Sequence, residues 1–263
     1  MAYLTYIGLG IFGLIIGSFL NVVIHRGPQI WDLVDDHSRT GNLAFPGSYC
    51  PACKTPLRAQ QLIPLVSYAS LGGKCASCEA KISLRYPIVE MLGAFSCVIA
   101  VIAFGISWAG GAAMVYFWFL VALAAIDHET RYLPDALTLT LIGLGIIANG
   151  FGLFTSLTHA TIGAIAGYCF FWLVAFTFRK LRGIDGLGLG DAKLLAAIGA
   201  WTGWQLLSPT ILAASLLALG TTLIANIAGN NIDRNTHIPF GPALAFAGVA
   251  ALLSLSGFLR PAF

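Results

Sequence analysis

Two aspartates and four cysteines are the side chains of this chain whose types and surroundings could do chemistry. Asp127 ends a long apolar run, FWFLVALAAID, and Asp191 begins another, DAKLLAAIGAW. A carboxylate at the edge of a membrane-like segment is costly and marks a functional candidate by default. Each stands where its apolar run meets a charged loop, so a compact bundle can bring the two face to face. Facing carboxyls cannot both ionise easily and tend to share one proton. The ionised member then takes a proton from water, and the protonated member hydrogen-bonds a carbonyl oxygen. That is acid/base chemistry able to open a peptide bond. No G-x-S-x-G or H-E-x-x-H run offers another route. Taken alone, however, an aspartate opening a helix is as readily a cap as a catalyst.

Glycine stands in front of Asp191 at alternate positions, Gly186, Gly188 and Gly190. Alternation at period two predicts an extended stretch, and missing side chains let a second backbone come close. A substrate peptide could pair along it by main-chain hydrogen bonds. Gly188 and Gly190 are therefore candidate substrate-binding positions. Other ionisable groups are less telling. Asp135, after Leu133-Pro134, reads as a helix N-cap, and Glu129 as solvated. Glu90 is either a surface acid favoured by a helix dipole or a buried partner for an arginine. Lys193 either snorkels to the membrane interface or offsets local negative charge. Glu90 and Lys193 are candidate supporting residues. His25, His128, His159 and His237 are scattered without ligand spacing.

The cysteines form two knuckles, C-P-A-C at 50–53 and C-A-S-C at 75–78, separated by 21 residues. Cys50, Cys53, Cys75 and Cys78 can close tetrahedrally on Zn²⁺, and a closed four-cysteine site is structural. A disulfide pair or a redox dithiol stays open on spacing alone. Cys97 and Cys169 fall inside apolar spans and read as packing residues.

The elements that carry these groups follow from composition. Of 263 residues, 58% are hydrophobic and only 10% charged, against about 25% charged in soluble domains. Eight apolar runs are long enough to be spans, at roughly 3–24, 87–106, 108–126, 136–154, 159–178, 191–207, 208–228 and 240–259. The first reads as a retained helix. Of 14 lysines and arginines, all but Arg260 fall in loops that eight spans place on one side. The positive-inside rule makes that side cytoplasmic, with both termini outside. Asp127 and Asp191 then lie at matched depth on the cytoplasmic side. The expected fold is an all-α polytopic membrane protein with about eight transmembrane helices. It divides into a first helix (1–24), a small cytoplasmic zinc-ribbon-like loop domain (25–86) and a transmembrane core (87–263). The net charge of +3 reflects this topology, and no basic patch with interleaved aromatics indicates nucleic acid.

Seven motifs in order carry a family resemblance. They are GSFLNVVIHR at 17–26, CPAC at 50–53, CASC at 75–78, SLRYPIVE at 83–90, DHETRYLPD at 127–135, DGLGLGDAKLLAAIGAW at 185–201 and IPFGPALAFAG at 238–248. The sequence resembles the bacterial type IV prepilin peptidases, membrane aspartic proteases of the GxGD type. The resemblance implies that Asp127 and Asp191 are the catalytic pair and that Gly188 and Gly190 belong to the GxGD signature. It implies precursors of type IV pilins or of type II secretion pseudopilins as substrates. Their short basic leader is cut after a glycine at the cytoplasmic face of the inner membrane. It further implies N-methylation of the new N-terminal residue with S-adenosylmethionine, although no Rossmann-type glycine loop is present for that donor. Departures from the family pattern are a glutamine in QQLIPLVSY, Glu79 after the last cysteine, and His128 after the first aspartate.

Two other classes compete. A proton-coupled transporter would also use intramembrane acids, but it predicts inverted repeats, and none is evident. A membrane assembly or anchoring protein with a zinc ribbon gives no reason for two aspartates at matched depth.

Overall fold

The computed structural model describes residues 2–31, 42–183, 188–229 and 239–256. Each of the eight apolar runs is a helix: α1 (Ala2–Ile30), α3 (Arg85–Phe104), α4 (Trp108–Thr130), α5 (Asp135–Gly150), α6 (Leu157–Arg182), α7 (Leu189–Thr202), α8 (Leu207–Ile227) and α9 (Gly241–Leu255). A ninth, short helix, α2 (Val66–Ser70), lies in the segment that carries the cysteines. Among the described residues strand pairing is limited to two isolated bridges, Tyr49 with Pro56 and Lys74 with Lys81.

Five of these helices, α1, α3, α4, α6 and α8 with the 3₁₀ turn before it, are long and apolar enough to cross a membrane. The chain is therefore a multi-pass membrane protein. The other three are shorter, with 16 residues in α5, 14 in α7 and 15 in α9. At about 1.5 Å per residue they fall short of a hydrocarbon core of about 30 Å. For α7 the reason is visible: from Leu194 to Thr202 every residue is buried. A helix apolar all round and enclosed by protein needs no lipid-facing length.

The chain forms two compact units, Met1–Ile102 and Ala103–Phe263. In the first, α1 and α3 meet through glycines. A Cβ on Gly17 would lie 2.6 Å from the Glu90 Cα, and one on Gly93 would lie 2.9 Å from the Gly17 Cα. Such small residues let two membrane helices approach backbone to backbone. Asn21, buried one turn along α1, donates its side-chain amide to the Tyr86 carbonyl at 3.1 Å. Ile7, Ile11, Ile15 and Phe19, at four-residue spacing, stay exposed on α1, an apolar face suited to lipid.

In the second unit α7 is the central helix, packed by α5, α6 and α9. Gly167 of α6 has no room for a Cβ, which would meet the Leu195 carbonyl oxygen at 2.8 Å. Trp201 is fully buried near the end of α7; its indole N–H donates to the Leu141 carbonyl at 2.8 Å, and its ring lies 4.9 Å from that of Tyr116. Asn149 of α5 closes the carboxyl end of α7. Its amide donates to the carbonyls of Ala200 (2.8 Å) and Trp201 (3.1 Å), while its oxygen accepts from the N–H groups of Phe154 and Thr155. The carbonyls a helix leaves free at its end are thus met by one side chain. These contacts hold α7, and with it Asp191, in place.

Candidate active site and metal centre

Asp127 lies in the last full turn of α4 and is 5% exposed. The helix stops three residues later: Arg131 adopts a left-handed φ of 58° and returns its N–H to the Asp127 carbonyl. Three residues on, Pro134 caps α5 with extended backbone. That short turn brings Leu133 against the start of α7. Asp191 sits in the first turn of α7, its N–H donating to the Gly188 carbonyl at 3.2 Å. The turn after α4 packs Leu133 against Gly190, one residue before Asp191, and α9 packs against both α4 and α7. The end of the helix that carries Asp127 and the start of the helix that carries Asp191 therefore adjoin. The Asp127 Oδ2 also accepts the backbone N–H of Gly241, the first residue of α9, at 2.9 Å.

The glycines divide. Gly188 is extended (φ −70°, ψ 138°) and a Cβ there would meet nothing closer than the Asp191 Oδ2 at 3.7 Å. Gly190 is already helical, and a Cβ there would lie 3.0 Å from the Leu133 Cβ. The extended stretch expected over all three glycines thus ends before Leu189, because α7 begins two residues earlier than its apolar run. Gly186 lies outside the described residues. A Cβ at Gly188 would make ordinary contact with the Asp191 carboxyl, whereas Gly190 makes room for the turn after α4.

The supporting acids and the lysine find specific partners. The Lys193 ammonium pairs with Asp135 Oδ1. Asp135 is therefore not the N-cap of α5: Pro134 holds that position, and Asp135, one residue inside the helix, has its carboxylate turned to Lys193. Glu90 is not a surface acid. It is 8% exposed, and its Oε2 accepts the Leu65 N–H at 2.9 Å. Leu65 itself holds a left-handed φ of 58° at the start of α2, between the cysteine knuckles.

The two knuckles share one backbone plan. Cys50 N–H donates to the Thr55 carbonyl and Cys75 N–H to that of Ala80. Lys54 and Glu79, each just after a second cysteine, have φ of 59° and 58° and return their N–H to Cys50 and Cys75. Leu57 bonds Ser48 as Ile82 bonds Gly73. Glu79 thus occupies the glycine-like conformation that its position demands. All four sulfurs lie within 4.8 Å of one another, and Cys50 and Cys78 are 3.9 Å apart. A tetrahedral zinc with Zn–S bonds of about 2.3 Å needs sulfurs about 3.8 Å apart. The donor set fits a metal ion of that size and softness. Hydrogen bonds from the Thr55 hydroxyl and backbone hold the Cys53 thiol down to about 6. Hydrogen bonds from the Ser77 and Cys78 N–H groups lower Cys75 as well. Cys78 is pushed up to about 12; the Ala80 backbone bond that lowers it is outweighed by the proton it shares with Cys53 and its other sulfur neighbours.

Gly241 was not singled out from the sequence, although a glycine ahead of Pro242 at the start of an apolar run carried a signal for a helix N-terminus. The Glu90 contact had no such signal, because its partner is a backbone N–H.

Comparison with known proteins gives two family matches that together span most of the chain. Residues 11–104 match the bacterial peptidase A24 N-terminal domain, and residues 114–223 match the type IV leader peptidase family. The chain is 44% identical over 256 residues to a prepilin leader peptidase/N-methyltransferase of Pseudomonas aeruginosa, covering 92% of this chain and 87% of that protein. It is 43% identical over 252 residues to the protein of the same name from Neisseria gonorrhoeae, covering 90% and 86%. It is 44% identical over 257 residues to that of Aeromonas hydrophila, covering 92% and 88%. No solved structure matches.

Proposed function

The chain belongs to the type IV leader peptidase family, and on that premise we propose that it is a membrane aspartic endopeptidase that removes the leader of type IV prepilins or type II secretion pseudopilins and N-methylates the new N-terminal residue. Asp127 and Asp191 act as the catalytic pair. The observation that carries this reading is that the turn after Asp127 packs on Gly190, so that the two carboxyls stand at adjoining helix ends. Sharing one proton, they divide the work of hydrolysis. The ionised carboxylate removes a proton from a water, whose oxygen bonds to the scissile carbonyl carbon. The protonated carboxyl gives its proton to the carbonyl oxygen. The tetrahedral species then breaks its C–N bond: the nitrogen takes the proton first abstracted from water, and one hydroxyl returns its proton to the other carboxylate, which restores the starting pair. Gly188, open beside Asp191, is where the substrate backbone comes close.

The cysteines serve as a staple. Cys50, Cys53, Cys75 and Cys78 hold a structural Zn²⁺, which supplies folding energy to a segment too small for a large apolar core. For the methyl donor, S-adenosylmethionine, the described residues present no Rossmann strand and glycine loop. No residue is assigned to it and no step is derived through it. Residues 25–86 and the catalytic pair face the cytoplasmic side of the bacterial inner membrane, with both termini periplasmic, an orientation that the excess of lysine and arginine on one side supports. The peptidase core is then 87–263, following the first helix (1–24).

The test is cleavage of a purified prepilin by the protein in detergent or lipid, comparing wild type with Asp127→Asn and Asp191→Asn. A neutral variant that cleaves at the wild-type rate removes the pair from the mechanism. Labelled S-adenosylmethionine in the same reaction tests methylation; full cleavage without methyl transfer leaves a peptidase only.

A further inference from the structure

We propose that the amino end of α9 is a third part of the reaction centre, with the Gly241 N–H positioning Asp127 through its Oδ2. The proposal rests on Asp127 and Asp191 being the catalytic pair. At the carboxyl end of α4 the helix offers Asp127 no donors of its own, because the free groups there are carbonyls. The amino end of α9 has the opposite supply, and its first N–H reaches Oδ2 at 2.9 Å. Among the described residues this is the hydrogen bond that the Asp127 side chain receives.

The fit leaves no room for any residue but glycine. A Cβ at 241 would lie 2.6 Å from Oδ2, 2.8 Å from Cγ and 3.0 Å from Cβ of Asp127. Pro242, next in the helix, has no N–H and fixes its own φ, so the turn is preset and Gly241 is the donor aimed at the carboxyl. The rest of α9 ties this donor to both aspartate-bearing helices. About two turns further on, a Cβ at Gly248 would lie 2.9 Å from both the Tyr116 hydroxyl of α4 and the Ile198 Cδ1 of α7. One oxygen of Asp127 is thereby committed to backbone, and the other is left for water, substrate and Asp191. Acid/base groups need placement to about 0.5 Å, and Gly241 is the element that sets it for Asp127.

The test uses the full-length protein in detergent and a synthetic peptide with a basic leader, a glycine at the cleavage junction and an apolar helix. Gly241→Ala is expected to lower kcat about 100-fold, the loss that a displacement of about 1 Å produces. KM and the unfolding midpoint are expected to stay near wild type. Gly143→Ala, in open space on α5, leaves all three unchanged. Wild-type kcat in Gly241→Ala overturns the proposal. Asp127→Asn and Asp191→Asn run beside them: activity in those variants removes the catalytic pair itself, a separate outcome. Should Gly241→Ala fail to fold, NMR of the Asp127→Asn protein decides. The Gly241 amide resonance is expected to move when the carboxylate becomes an amide, while that of Gly248 stays. A Gly241 resonance that does not respond overturns the proposal.

Discussion

Lys193 Nζ lies 2.5 Å from Asp135 Oδ1, so the first turns of α7 and α5 are tied together two residues from Asp191. The pair is open to solvent, with side-chain exposures of 25% for Lys193 and 60% for Asp135. Screening therefore limits its worth to under about 1 kcal/mol. Lys193→Met and Asp135→Asn are each expected to lower the unfolding midpoint slightly and by similar amounts. The double variant should be no less stable than either single one. Thermal unfolding of the four proteins in detergent checks this, and fully additive losses would show that the two side chains do not interact.

Neutralising either member of the carboxyl pair removes a proton acceptor or donor without changing shape. Asp127→Asn and Asp191→Asn should each reduce cleavage at least about 100-fold. Because the two act as a unit, the double variant should cleave no more slowly than the worse single one. Asn at 127 retains an oxygen for the Gly241 N–H, so the unfolding midpoint should hold. Initial rates at saturating prepilin, set beside the midpoints, separate lost chemistry from lost structure.

Much of this was legible in the chain, for local reasons. An apolar run about 20 residues long has few alternatives in a membrane, and all eight runs are helices. Their ends were less legible. α1 continues past its apolar stretch through His25, Arg26 and Pro28 to Ile30, since helical hydrogen bonding does not require apolar side chains. The cysteine knuckles could be read because ligand spacing is a local property. The contact of Gly241 with Asp127 spans 114 positions, and Gly190 owes its place to Leu133 across a turn. Such demands arise from packing, which no periodicity records.

The two signature glycines are expected to fail differently. Gly190→Ala presses a methyl group on Leu133 and should cost about 1–3 kcal/mol of stability, as overpacked cores do. In Gly188→Ala the methyl group makes only ordinary contact, 3.7 Å from Asp191 Oδ2, so its unfolding midpoint should not fall. Its kcat/KM should fall, because the methyl group occupies the approach of the substrate backbone. A stable, fully active Gly188→Ala protein would remove substrate contact at that residue.

Zinc should bind with release of protons and protect the thiols. In the metal-free protein the Cys53 thiol, held down to about 6 by hydrogen bonding to Thr55, is ionised at neutral pH. Cys78, pushed up to about 12, is not. Iodoacetamide at pH 7 should therefore label Cys53 before Cys78, and zinc should block both. Because protons compete with metal for sulfur, affinity should weaken as pH falls, and more steeply below about 6, where Cys53 also becomes protonated. Mass spectrometry of labelled peptides and zinc titrations at several pH values check the order and the sign. Each of Cys50→Ser, Cys53→Ser, Cys75→Ser and Cys78→Ser should lose the metal.

Glu90 joins the cysteine-bearing segment to α3 through one backbone hydrogen bond, to Leu65 at 2.9 Å. The bond lies at a residue whose left-handed φ of 58° is uncommon outside glycine. Leu65 thus needs an external partner to hold its conformation, and Glu90, buried against Gly17, is placed to provide it. Glu90→Gln keeps an accepting oxygen and should be nearly silent. Glu90→Ala leaves the Leu65 N–H without its partner and should cost about 1–3 kcal/mol locally. The loss should appear as faster amide exchange over residues 60–70 and faster zinc release to a chelator, with little change over 189–202. Hydrogen exchange followed by mass spectrometry reads both regions at once. Equal exchange over 60–70 in Glu90→Ala and wild type would show that the clasp does not hold the segment.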